Sequence, residues 1–123
     1  HRAASAIALW DVYVVQSARD QFLHEERLAD LVEWSQANSG LMPYLAKDMT
    51  FASHFYAYVE LVRLSCQYKL FAIAYKQRIG LANAKFVRKV ADFYEKKAVD
   101  FRQADKVYRD CLDQCPKLEQ AYA

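Results

Sequence analysis

Histidine, cysteine and carboxylate are the side chains of this sequence that suit metal binding or acid–base work, and their spacing is the first thing to test. Cys111 and Cys115 stand four residues apart on one helix face, as half of a metal site would. No second ligand pair accompanies them, because His24 and His54 lie far away in sequence, so the two cysteines read as small apolar residues at a helix interface. His24-Glu25-Glu26-Arg27 opens like a zinc-peptidase helix but lacks the second histidine four residues after the first. Glu25, Glu26, Asp30 and Glu33 form an acidic helix face, which without buried partners or a metal is a solvated surface. His54 and Glu60 are too far apart along one helix to make a dyad, and Gly40 and Gly80 are too distant to frame a phosphate loop. The sequence therefore predicts no metal, no cofactor and no catalytic residues. The expected role is binding, not catalysis.

Charge is the next candidate. The net charge of +2 implies no partner by itself, but residues 69–97 hold eight Lys or Arg against two acids, while residues 1–68 hold five against eight. Lys85, Arg88, Lys89 and Lys96 fall on the outer side of one predicted helix, opposite Val87, Val90 and Tyr94. Such a stripe suits phosphates or an acidic peptide, and equally the wet face of an amphipathic helix.

The elements that position these residues are all predicted as helices. The chain has 123 residues, 54% hydrophobic and 26% charged, with only two glycines and two prolines. That composition excludes a disordered chain and disfavours a turn-rich β fold. No apolar run approaches the ~18 residues of a membrane span. The chain begins at His1, and Asp11 interrupts its first apolar run, so it reads as one domain of a longer protein without a secretory leader. Three cysteines, an odd and sparse set, fit a reducing compartment.

Apolar periodicity predicts helices over about residues 3–19, 24–37, 50–67, 67–78, 84–97 and 101–114, with 41–50 as a helical turn plus loop. The first carries Ile7, Trp10, Tyr13, Val14 and Ala18 on one side. The segment from Thr50 is apolar almost all round, which marks a central helix. Gly80 is expected at a left-handed cap after Arg78, with Asn83 and Asp100 as N-caps. The last helix shows a stripe of Phe101, Ala104, Tyr108, Cys111, Leu112 and Cys115. Ala104, Tyr108, Cys111 and Pro116 are spaced as at the end of a tetratricopeptide helix pair. The expected architecture is all-α, a short α-solenoid of about three antiparallel helix pairs, with a final short helix after Pro116.

Taken in order, these landmarks resemble the N-terminal tetratricopeptide-like region of the spindle-assembly-checkpoint proteins of the Bub and BubR type. The resemblance rests on Trp10-x-x-Tyr13 in the first helix, the Asp48-x-x-Phe51 step, the Ile79-Gly80 turn, the aromatic-rich helix over 86–97 and the closing Ala104–Tyr108 segment. It implies a domain that docks a checkpoint protein, with other checkpoint proteins, on a kinetochore scaffold of the Knl/Spc type. Its place would be nucleus and cytoplasm, and the kinetochore in mitosis. The scaffold would contribute a short amphipathic helix. Tyr58, Leu61 and Leu64 fall where that family's peptide-contacting helix carries its aromatic and leucines. Their three-residue spacing predicts one side of a single helix, and the apolarity of the segment fits a core role as well. Any kinase domain would lie elsewhere in the parent protein.

Two other readings stand beside this one. Trp10-x-x-Tyr13 and the basic stripe also fit a half-a-TPR module of an RNA-processing factor, although nucleic acid is not the expected partner. The helix pairs alone fit a generic α-solenoid adaptor.

Overall fold

Short acidic and amide side chains set where the helices begin. The computed structural model describes residues 2–112 and is all-helical there. In chain order the elements are α1 (Arg2–Val15), α2 (Gln21–Ala37), α3 (Met42–Leu45), α4 (Met49–Leu61), α5 (Leu64–Gln77), α6 (Ala84–Asp92) and α7 (Phe101–Cys111). A 3-10 turn, Ser39–Leu41, leads into α3, and a π turn, Phe93–Lys97, continues α6. Asp20, Asp48, Asn83 and Asp100 precede α2, α4, α6 and α7. Their side chains accept from the amides of Leu23, Phe51, Lys85 and Gln103 at 3.1, 2.9, 2.9 and 3.0 Å. Each cap satisfies a donor that the first turn leaves without an intrahelical partner. The caps expected at Asn83 and Asp100 are present, and the Asp48-x-x-Phe51 step is itself an N-cap.

The apolar faces these starts aim inward make one core. α4 packs against α1, α2 and α5, while α6 packs on α7 and touches α5. Phe51, Ala52, Phe55, Tyr56 and Val59 of α4 are all buried, as expected for a central helix. Within it, Tyr56 stacks on Phe86 of α6, with ring centroids 4.9 Å apart and planes 12° from parallel. Its hydroxyl donates to the Ile79 carbonyl at 2.6 Å, so a phenol sits in the core with its polar atom satisfied. At the other end, the Ser17 hydroxyl donates to the Val14 carbonyl at 2.7 Å, and Arg27 of α2 donates to the Tyr13 carbonyl at 2.7 Å. The Tyr13 carbonyl at the end of α1 thereby gains a donor, and the Val14 carbonyl, which also accepts from the Ser17 amide, gains a second.

Several sequence expectations need correction. The helix foreseen over 50–67 ends at Leu61. Val62 and Arg63 are extended (ψ 159° and 158°), and α5 starts at Leu64. No glycine or proline marks this break. The Gln67 side chain holds it by donating to the Val59 carbonyl at 3.0 Å. The left-handed cap of α5 is Arg78 (φ 61°), followed by Gly80 (φ 69°) as a second left-handed residue. The Ile79 amide reaches back to the Ala74 carbonyl at 3.0 Å, closing the helix end as a Schellman turn. In α7 the buried stripe is Ala104, Val107 and Cys111, while Phe101 is 63% exposed. Phe101 occupies the first helical position, one turn before the buried stripe begins at Ala104. Ala18 is exposed as well, outside the first helix. Cys115, Pro116 and the final short helix lie outside the described residues.

Of the two glycines, Gly80 is the closely packed one. Its amide donates to the Ala46 carbonyl at 2.8 Å, and a Cβ there would stand 2.8 Å from Phe86 Cδ2 and 2.9 Å from Ala52 Cβ. Left-handed strain and overpacking should together make Gly80→Ala cost roughly 3 kcal/mol in urea unfolding. Gly40→Ala, with nothing within 4 Å of the added carbon, should stay near wild type.

Alkaline unfolding gives a second check. Burial drives the Tyr56 phenol well above the ordinary tyrosine value, and burial also raises Tyr75, Tyr94 and Tyr108. The unfolded chain then releases these protons first. Stability should be flat below about pH 10 and fall above it, by up to ~1.4 kcal/mol per pH unit for the buried Tyr56 and by less for the three phenols that solvent reaches. Tyr56→Phe should flatten that slope while costing about 1–2 kcal/mol at neutral pH, because the Ile79 carbonyl loses its donor. An unchanged alkaline slope would refute the assignment to Tyr56.

Candidate docking surface

The three residues singled out for peptide contact do not lie along one helix. Tyr58 and Leu61 are on α4, Leu64 is the first residue of α5, and the extended Val62–Arg63 pair turns the chain between them. The physical reason is the early end of α4 described above. None of the three is core: Tyr58 is half-buried, and Leu61 and Leu64 are 46% and 48% exposed.

Tyr58 opens onto a groove of about 350 Å³ between α2, α4 and α5. Val32, Leu70 and Ile73 supply apolar wall, and Glu33 and Lys69 supply one charge of each sign. The floor is set by helix spacing. Tyr58 lies two residues beyond Tyr56, roughly 200° around α4, so one tyrosine faces core while the other faces the groove. Leu61 and Leu64 sit at the α4–α5 corner rather than in the groove wall, adding two exposed aliphatic side chains to the same region.

The predicted basic stripe is divided. Lys89 pairs with Glu60 at 2.5 Å, and Lys96 pairs with Asp92 at 3.8 Å on the same helical run. Lys85 lies over the Phe86 ring, 5.7 Å from its centroid. Arg88 falls on the side of Tyr108, whose pKa its charge lowers against the larger effects of burial, Asp92 and Glu95. Four cations that share a wet face on a helical wheel thus have four different nearest partners, and two of the four are paired with a carboxylate.

Other chemistry-bearing residues also find structural positions. His54 Nε2 lies 2.7 Å from Asp11 Oδ1, so the carboxylate partner of His54 comes from α1, 43 residues away, and not from Glu60. Periodicity within one helix carries no signal for that pair. His24 Nδ1 lies 3.3 Å from the Val14 carbonyl and 3.3 Å from Ser17 Oγ, in the α1–α2 corner. Cys111 is buried against the core and Cys66 is half-buried, while Cys115 is outside the described residues. Among the described residues no group of three or more His, Cys, Asp or Glu is placed to hold a metal ion.

A second apolar surface went unforeseen. Trp10 meets Tyr13 edge-on at 5.6 Å and Trp34 of α2 at 5.7 Å, and these rings with Ala6 and Leu9 line an open notch of about 470 Å³. Leu9 is 74% exposed, and Val12 and Val15 are also exposed. The signal was present in the apolar, nearly charge-free composition of α1, which a one-sided helix does not need.

Comparison with known proteins adds nothing to this geometry: no family model, no curated protein and no solved structure matches the chain.

One local feature calls for its own test. Val99 is a β-branched residue at φ 51° and 65% exposed, immediately after the π turn. The Ala98 amide donates to the Phe93 carbonyl at 3.0 Å and the Asp100 amide to the Tyr94 carbonyl at 2.7 Å, which holds the backbone there. Left-handed geometry without packing compensation means Val99→Gly should raise stability by about 1 kcal/mol in urea melts. A destabilised Val99→Gly variant would show that the valine side chain contributes more than its exposure implies.

Proposed function

We propose that this chain is a helical docking module, built as stacked antiparallel helix pairs of the tetratricopeptide kind, that receives an amphipathic helical segment of a partner protein. The observation that carries the reading is the groove beside Tyr58: apolar wall from three helices, one acid, one base, and two exposed leucines at its corner. Such a surface suits a short helix that lays aliphatic side chains into it and keeps its polar side in water. This role requires no catalytic step of the chain itself.

The ordered landmarks from Trp10 to Tyr108 support a narrower form of the same proposal. In it the module belongs to a spindle-checkpoint protein of the Bub type, and the segment comes from a kinetochore scaffold of the Knl/Spc type. The module then acts with other checkpoint proteins at the kinetochore in mitosis. The sequence resemblance alone supports this narrower form. The RNA-processing reading rests on Trp10-x-x-Tyr13 and the basic stripe, and the carboxylates beside Lys89 and Lys96 reduce the cationic surface it needs.

The test is fluorescence anisotropy with tiled peptides from a kinetochore scaffold, with a random RNA oligomer in parallel. One tile should bind at micromolar strength with little salt dependence, whereas phosphate contacts weaken steeply with salt. Tyr58→Ala and Leu61→Glu should each weaken that tile about tenfold or more while the far-UV circular dichroism stays unchanged. Binding that ignores both substitutions would remove the groove from the proposal. RNA binding without any peptide hit would replace the proposal.

A further inference from the structure

On the other side of α4, Tyr56 forms part of a smaller pocket of about 250 Å³ between α4, α5, α6 and the π turn. Its back wall is the end of an aromatic ladder. Phe86 stacks on Tyr56, Tyr56 leans on Phe71 at 6.4 Å, and Phe71 stacks on Phe93 at 4.3 Å with planes 19° apart. Its rim holds three lysines, Lys89, Lys96 and Lys97, and two acids, Glu60 and Asp92.

The π turn is what gathers the rim. Its wider turn sets consecutive residues closer together around the axis than an α-helix does, so Lys96 and Lys97 both border the pocket that Phe93 floors. Lys89 is held by Glu60 and Lys96 by Asp92, both at the surface. Exposed pairs of this kind are worth only about 0–1 kcal/mol, so an incoming anion displaces them at small cost. Among the described residues, Lys97 has no carboxylate within ion-pairing distance.

We infer that this pocket binds a single aromatic ring bearing an anionic group, the ring against Phe71 and Phe93 and the anion among Lys89, Lys96 and Lys97. The volume admits one ring with a phosphate or carboxylate head and falls short of the ~300 Å³ at which drug-sized sites begin. The aromatic wall accounts for the ring and the surplus of one cation for the charge. Neither element alone does so: a bare phosphate would leave the open edges of Phe71 and Phe93 uncovered, and an uncharged ring would leave Lys97 without an anionic partner. The site is separate from the groove beside Tyr58, and its assignment stands or falls independently of it.

The experiment is an NMR titration of the isotopically labelled chain with phenyl phosphate, with phenol and with inorganic phosphate as separate probes. Phenyl phosphate should shift the amides of Phe93–Lys97 and Lys89, and should bind at least about tenfold more tightly than either fragment. Lys97→Gln should weaken it at least about threefold. Glu60→Gln, which releases Lys89, should tighten it about threefold, in the opposite direction. Both substituted residues are exposed, so folding is not at stake. A phosphotyrosine peptide run alongside identifies the source of the ring: a tighter peptide points to a partner's side chain, a tighter free ester to a small molecule, and either supports the site. Shifts scattered away from the π turn, or equal effects of the two substitutions, would overturn it.

Discussion

The corner at Ile79 and Gly80 is the constraint on which the rest of the packing depends. Here the chain leaves α5 through a left-handed arginine and enters the core as bare backbone, with a carbonyl and an amide that must both find partners away from water. Tyr56 of α4 supplies the donor and Ala46 supplies the acceptor. The absence of a Cβ at Gly80 then lets Phe86 and Ala52 close on the same spot. An unpaired buried backbone group costs about as much as a typical stabilising interaction gains. The two bonds therefore fix where α6 lies relative to α4 more firmly than apolar contact alone, which tolerates sliding.

With α4 held that way, its two tyrosines divide the molecule. Tyr56 faces the aromatic ladder and the lysine-rimmed pocket, and Tyr58 faces the groove shared with α2 and α5. Helical phase decides this, because two residues of separation carry a side chain more than halfway round the axis. The surfaces on either side of α4 differ in character as a result: one is apolar with balanced charge, the other aromatic with a surplus of lysine.

Much of this was legible in the sequence, where the signal is local. Asn83 and Asp100 announce helix starts because a short acceptor before an amphipathic run has few other uses. The all-round apolarity after Thr50 marks a central helix, and a glycine among good helix formers marks the corner. What escaped was decided at a distance. The break at Val62–Arg63 carries no glycine or proline and is held by Gln67 from the next helix. The His54–Asp11 pair joins α4 to α1. The π turn and the left-handed Val99 are held by backbone bonds from Ala98 and Asp100 to Phe93 and Tyr94, which leave no mark on side-chain periodicity, and Arg78 takes the left-handed position that a glycine-based reading gives to Gly80. The groove was half legible: Tyr58 lines it, but the break moves Leu61 and Leu64 to its corner.

The same corner has a bearing on the order in which the chain assembles. The bond between Tyr56 and Ile79 closes a loop of 23 residues, and the bond from Gly80 to Ala46 closes a longer one. α6 and α7, by contrast, are consecutive helices joined through the π turn, and they pack directly on one another. Closing loops costs entropy before the contacts return anything, so the α6–α7 hairpin is expected to form first and the corner to join it to α4 later. In the native state the same hierarchy runs in reverse. The corner joins last and so releases early, and because Phe86 of α6 packs on Tyr56 and Gly80, its loss frees the α6–α7 hairpin from α4 as a unit.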